Sequence, residues 1–123
     1  MTIQEAGRLL RAGNCSSLEL TQESLGCIAR LDGRLNAFIT VMADSALARA
    51  RAMDQELGAA RDRGPLHGIP VALKDVFSTR GVLTTCGSRI FSRHVPDHDA
   101  AVVERLEQAG AVILGKTNMH ELA

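Results

Sequence analysis

Two short apolar runs constrain the fold more than any other feature of the chain. Ile69-Pro70-Val71-Ala72-Leu73 and Ala111-Val112-Ile113-Leu114 are continuous, not alternating, which is the pattern of strands covered on both faces. Between them Val102, Val103, Leu106 and Ala109 recur at helical spacing, with Asp99 placed as N-cap and Gly110 as C-terminal stop. Strand, helix and strand in that order predict a parallel pair with helical cover on its faces. Pro70 near the start of its run is tolerable there. The expected fold class is α/β.

The preceding half predicts helices. Thr2 and Glu5 have capping-box spacing ahead of an Ile3, Ala6, Leu9, Leu10 stripe that ends before Gly13-Asn14. Ser16 and Glu19 repeat the box, and Leu18, Leu25, Ile28 and Ala29 share a face up to Asp32-Gly33. Ala37, Ile39 and Val41 alternate weakly and predict a short strand. Ala46, Leu47, Ala50, Met53 and Leu57 form the next helical stripe, and Gly58, Gly64, Pro65 and Gly68 mark a loop after it. The expectation is one partial domain over residues 1–123, with a helical region at 1–63 and the first strands and helix of an α/β core at 64–123. Asn118 and Glu121 have capping-box spacing again, which predicts a helix opening where the chain stops at Ala123. The chain therefore reads as truncated within an element, with a sheet edge and face left uncovered.

Charge and composition exclude several classes. Lys and Arg number 14, Asp and Glu number 14, and the formal charge is zero. The signs also balance within each half, so neither a nucleic-acid-binding face nor an acidic tail is expected. The apolar runs are far too short to span a bilayer, and Met1-Thr2-Ile3-Gln4-Glu5 opens no secretory leader. Cys15, Cys27 and Cys86 are odd in number and widely spaced, matching neither a disulfide framework nor a CxxC site. They are expected to be small buried side chains in a reducing compartment, and the expected location is the cytoplasm.

Four motifs invite a chemical reading. Gly110 to Thr117 matches the phosphate-loop pattern G-x-x-x-x-G-K-[ST] letter for letter. Its four middle residues, however, are themselves a strand, whose N–H groups would enter a sheet ladder instead of cradling a phosphate. His94, Asp97, His98 and Asp99 suggest a metal site, but Pro96 breaks the helix that a His-x-x-x-His pair needs, and a polar loop is the better reading. His120-Glu121 opens a zincin-like string with no second His after it. No metal and no cofactor is expected. Lys74 differs from these, and only two of the basic residues, Lys74 and Lys116, are lysines. It closes an apolar strand, where the last side chain points into the crevice at the carboxyl end of a parallel sheet. A lysine stripped of water there can act as a base, which Arg cannot do. The bland alternative is a solvated lysine paired with Asp75 or a neighbouring carboxylate. If Lys116 interacts only near the start of the next helix, Lys116→Arg is expected to be tolerated far better than Lys74→Arg.

Gly64-Pro65-Leu66-His67-Gly68-Ile69-Pro70-Val71-Ala72-Leu73-Lys74-Asp75, then Thr84-Thr85-Cys86-Gly87-Ser88, then Asp99 through Gly115-Lys116-Thr117-Asn118-Met119, resemble the amidase signature family. The resemblance runs without gaps over 64–123 and is less specific over 1–63. It implies an α/β/α core around a mixed sheet, of which this chain supplies roughly the first quarter. It also implies that Lys74 is the base of a Ser–Ser–Lys triad, accepting a proton relayed through one serine from a second, nucleophilic one. Both serines belong to a Gly/Ser-rich segment beyond the equivalent of Ala123. The implied partner is a small-molecule amide bound by the complete enzyme, with a homo-oligomer left open. In the family's tRNA-dependent amidotransferase A subunits, Asn usually follows the Lys-Asp pair and Asp precedes the final Glu. Val76 and His120 stand at those places here, which favours a stand-alone amidase over the amidotransferase. The alternative outside catalysis is a remnant or an interaction module built from the helical half.

Overall fold

A computed structural model describes all 123 residues. Seven regular elements follow one another: α1 (Ile3–Arg11), α2 (Ser17–Leu35), β1 (Phe38–Val41), α3 (Ala43–Gly58), β2 (Pro70–Lys74), α4 (Ala101–Gln108) and β3 (Val112–Thr117), with a 3₁₀ turn at Arg89–Phe91 before α4. Both capping boxes form. Thr2 Oγ1 accepts from the Glu5 amide while the Glu5 carboxylate accepts from the Thr2 amide, and Ser16 and Glu19 do the same at α2. These contacts satisfy N–H groups that the first helical turn leaves without partners.

The helix α2 runs two residues past the predicted stop at Asp32-Gly33. Asn36, in the left-handed conformation at φ 50°, ends it. Asp32 serves as the exit clamp, its Oδ1 accepting from the amides of Ala37 at 2.7 Å and Phe38 at 3.1 Å, and so aims the chain into β1.

Three strands pair in the order β1-β3-β2, with β3 central. The β2–β3 pair is parallel, as the strand–helix–strand pattern predicts, and β1 joins antiparallel, so the sheet is mixed. Every residue of Val112–Lys116 is buried. The other apolar run is less enclosed than expected: Leu73 is buried, Val71 is half-buried and Ala72 is exposed, because β2 is an edge strand here. Ala46, Ala50 and Met53 of α3 pack on Val112 and Leu114, where small side chains bring helix and sheet close. Leu73, Val103 and Ile113 form a second cluster under α4, and Ala6, Leu10, Leu20 and Ile69 a third under α1 and α2.

Three local expectations fail for identifiable reasons. Asp99 does not cap α4. The N-cap is Ala100, and Asp99 Oδ1 accepts from the Arg80 amide of the preceding loop at 2.7 Å. No helix opens at Asn118: residues 118–120 are not helical, residues 121–122 form a turn, and the Ser88 hydroxyl donates to Glu121 Oε1 at 2.7 Å in place of the expected cap. The cysteines are not buried core residues either, for Cys27 is exposed and Cys15 and Cys86 are half-buried.

Candidate active site

Lys74 ends β2 opposite Thr117 of β3, at the carboxyl end of the parallel pair. Side chains alternate across a strand, so with Leu73 buried Lys74 faces outward, and its side chain is exposed. Its Nζ donates to the Ala123 carbonyl at 2.9 Å. No side-chain carboxylate lies within ion-pair distance of it. The expected loss of hydration is therefore not found at Lys74. The pairing of Lys74 with Asp75 is not found either.

Asp75 turns the other way, into the protein, where it is fully buried. Oδ2 accepts from the Thr85 amide at 2.8 Å and from the Thr85 hydroxyl at 2.6 Å. Oδ1 faces the Lys116 ammonium at 3.4 Å and has no hydrogen-bond partner. Lys116 is equally buried and donates to the Phe77 carbonyl at 2.8 Å and the Thr84 hydroxyl at 2.7 Å. Burial pushes the Lys116 ammonium below the ordinary lysine range, and the Asp75 charge opposes that shift. Lys116 thus lies within β3, not at a helix start.

The phosphate-loop look-alike is excluded by the same geometry. Gly115, Lys116 and Thr117 continue β3 beyond the predicted strand, and Lys116 points into the core. Gly115 is needed there because a Cβ would collide with the Thr40 carbonyl of β1 and press on Phe38 and Val41. Among the histidines of the suspected metal site, exposed His98 turns its Nδ1 to Asp97 at 2.9 Å, and the His94 amide donates to the Phe91 carbonyl in the loop. His120 is exposed, with its Nδ1 3.3 Å from the Glu121 carbonyl.

Sequence reasoning missed His67 and the Asp75–Lys116 pair. His67 is buried, with Nδ1 accepting from the Arg63 amide at 3.1 Å, so Nε2 carries the proton and donates to the Met53 carbonyl at 2.9 Å. It ties the loop before β2 to α3. The scarcity of lysine was the one signal pointing at Lys116, and nothing local named its partners.

A mixed sheet under helical cover places the chain among α/β proteins. This chain belongs to the amidase family, whose profile, described as Amidase, matches residues 19–123. It is 53% identical over 122 residues to the glutamyl-tRNA(Gln) amidotransferase A subunit of Chromohalobacter salexigens, covering 99% of this chain and 25% of that protein. The corresponding protein of Aromatoleum aromaticum, also a glutamyl-tRNA(Gln) amidotransferase A subunit, is 55% identical over 122 residues, with 99% and 25% covered. The native peptide amidase of Stenotrophomonas maltophilia shares the fold with a TM-score of 0.94 at 43% identity, over 100% of this chain and 26% of that one. The chain spans about a quarter of the length of these relatives.

Proposed function

We propose that residues 1–123 form the N-terminal part of an amidase domain that cleaves a carbon–nitrogen amide bond with Lys74 as its base. The mostly helical region is 1–63, which also lends the short strand β1 to the sheet, the parallel strands and helix of the core are in 64–123, and the two serines of the triad come from sequence beyond them. One observation carries the reading: Lys74 stands at the carboxyl end of β2 with no acidic side chain holding its proton, because Asp75 is engaged by Lys116 and Thr85. Its Nζ is exposed here and donates to the Ala123 carbonyl, and segments outside residues 1–123 are the proposed source of the cover that would strip it of water.

In the complete enzyme neutral Lys74 takes a proton relayed through the first serine, and the second serine's oxygen bonds to the amide carbonyl carbon. Backbone N–H groups beside the nucleophile stabilise the oxyanion. On collapse the C–N bond breaks and the proton returns to the departing amine, leaving an acyl-enzyme. Water attacks that ester, releases the acid and restores the serine. The three unpaired thiols suit a reducing compartment, and the cytoplasm is the proposed location.

A second reading is a tRNA-dependent amidotransferase, with this chain as part of its A subunit. The 53% and 55% identities to such proteins, against 43% to the peptide amidase, favour it. Val76 and His120 favour the stand-alone amidase. The test is ammonia release by the complete enzyme from a panel of simple amides and from glutamine. Turnover of simple amides without further subunits, lost in Lys74→Ala, supports the first reading. Release from glutamine that requires partner subunits and charged tRNA supports the second. A fully active Lys74→Ala enzyme contradicts both.

A further inference from the structure

We infer that Asp75 and Lys116 are a positioning pair that holds the main chain on both sides of Lys74, an inference that rests on Lys74 being the base. The two residues close the foot of the loop that leaves β2 directly after Lys74. On the strand side, the Thr117 hydroxyl donates to the Leu73 carbonyl at 3.2 Å and the Asp75 amide donates to the Thr117 carbonyl at 3.2 Å, so the residues before and after Lys74 are both tied to β3. On the loop side, the Asp75 carboxylate takes both donors of Thr85, and the Asp75 carbonyl accepts from the Cys86 amide at 3.1 Å. Lys116 completes the closure from beneath. Its ammonium joins the Phe77 carbonyl, where the loop departs, to the Thr84 hydroxyl, where it returns.

The chemistry explains why charged residues do this. A single ammonium can act in several directions at once, donating to a carbonyl where the loop departs and a hydroxyl where it returns while it faces a carboxylate as counter-ion. A buried charge pair is a weak source of stability, since desolvation offsets the attraction, but each member needs the other and fixes its place. An apolar pair of the same volume would fill the space without tying Phe77, Thr84 and Thr85 to the strand. The pair also occupies the one carboxylate next to Lys74 in sequence, so Lys74 is left free of an acidic partner.

The experiment compares Lys74→Ala, Asp75→Asn, Lys116→Met, Thr85→Val and the double variant Asp75→Asn/Lys116→Met in the complete enzyme, with kcat, KM and Tm measured for each. Lys74→Ala must be inactive in the same assay; if it is active, the base assignment fails independently of the pair. The single variants at 75 and 116 are expected to lose Tm and about tenfold to a hundredfold in kcat, with KM within twofold, as a misplaced reacting group does. Thr85→Val keeps the backbone donor and both charges, and is expected to lower kcat in the same direction with a smaller loss of Tm than the single variants at 75 and 116. The double variant removes both buried charges and is expected to recover Tm but not kcat. Recovery of kcat together with Tm, or a Thr85→Val enzyme with wild-type kcat, would overturn the inference and make the pair purely structural. Where the single variants do not fold, the double variant and Thr85→Val decide it.

Discussion

The Lys116 ammonium lies 3.4 Å from the Asp75 carboxylate, and neither side chain has any exposed surface. The two are 41 positions apart in sequence and meet because β2 and β3 are paired in parallel with Leu73 opposite Lys116. That register puts one lysine under the sheet's end and sends the other, Lys74, out of it.

Lys116→Arg is expected to destabilise the protein, in contrast to the tolerance its sequence position suggests. A guanidinium is larger than the ammonium it replaces at this fully buried site, and overpacking a filled site costs about 1–3 kcal/mol. Lys116→Met is expected to be worse, by about 3–5 kcal/mol, because it leaves the Asp75 carboxylate buried without a counter-charge. Denaturant unfolding of the two variants against the parent checks the order.

Gly115→Ala is expected to loosen β1 from β3. The new methyl would meet the Thr40 carbonyl and crowd Phe38 and Val41, so a loss of about 1–3 kcal/mol follows. Amide hydrogen exchange should show lost protection at the β1–β3 ladder while the β2–β3 ladder keeps more of its own. Equal loss in both ladders would mean that the strand tolerates no local adjustment.

Nucleotide binding is expected to be absent despite the letter-perfect phosphate-loop string. Lys116 is committed to Phe77, Thr84 and Asp75, and Gly115 to Thr117 are sheet. Calorimetric titration with ATP and magnesium should give no heat of binding, and micromolar affinity would contradict the assignment.

Acid is expected to weaken the clamp around the loop before β2. The hydrogen bonds from Arg63 hold Glu56 below the usual carboxylate range, and those from Arg11 do the same for Asp62. Depressed pKa values in the folded state mean that this contribution is fully present above the ordinary values of 4.5 and 3.8 and is lost as pH falls through the lower folded ones. Both pairs reach solvent, so the effect is small. Tm should be flat from neutral pH down to about the unperturbed carboxylate range and fall below it, and Glu56→Gln should make that fall shallower.

How legible the fold and site were follows the distance between interacting residues. The capping boxes at Thr2–Glu5 and Ser16–Glu19 involve partners three residues apart and were readable directly. The strands and Gly110, at φ 83°, were readable from apolar runs and turn chemistry. Asp99 and Glu121 misled because each had a plausible local cap to make, and a more distant donor, the Arg80 amide or the Ser88 hydroxyl, took the carboxylate instead. The scarcity of lysine pointed at Lys116, but its partners stayed hidden for the same reason, since they come from a loop that only the folded sheet brings to it. Lys74 was placed correctly at the strand end, but its surroundings were not, because the strand is half-covered in these residues.

If Lys74 accepts a proton in the reaction, an arginine in its place must fail, and Lys74→Arg in the complete enzyme is the deciding variant. An arginine keeps the positive charge and much of the reach but stays protonated, so it cannot serve as the base. The measurement is kcat and KM for one good amide substrate, with folding verified by circular dichroism. The expected result is a loss of about 10²–10⁴-fold in kcat, nearly that of Lys74→Ala, with KM little changed. An arginine variant that keeps kcat within a few-fold of the parent would contradict it and leave Lys74 an electrostatic or structural residue.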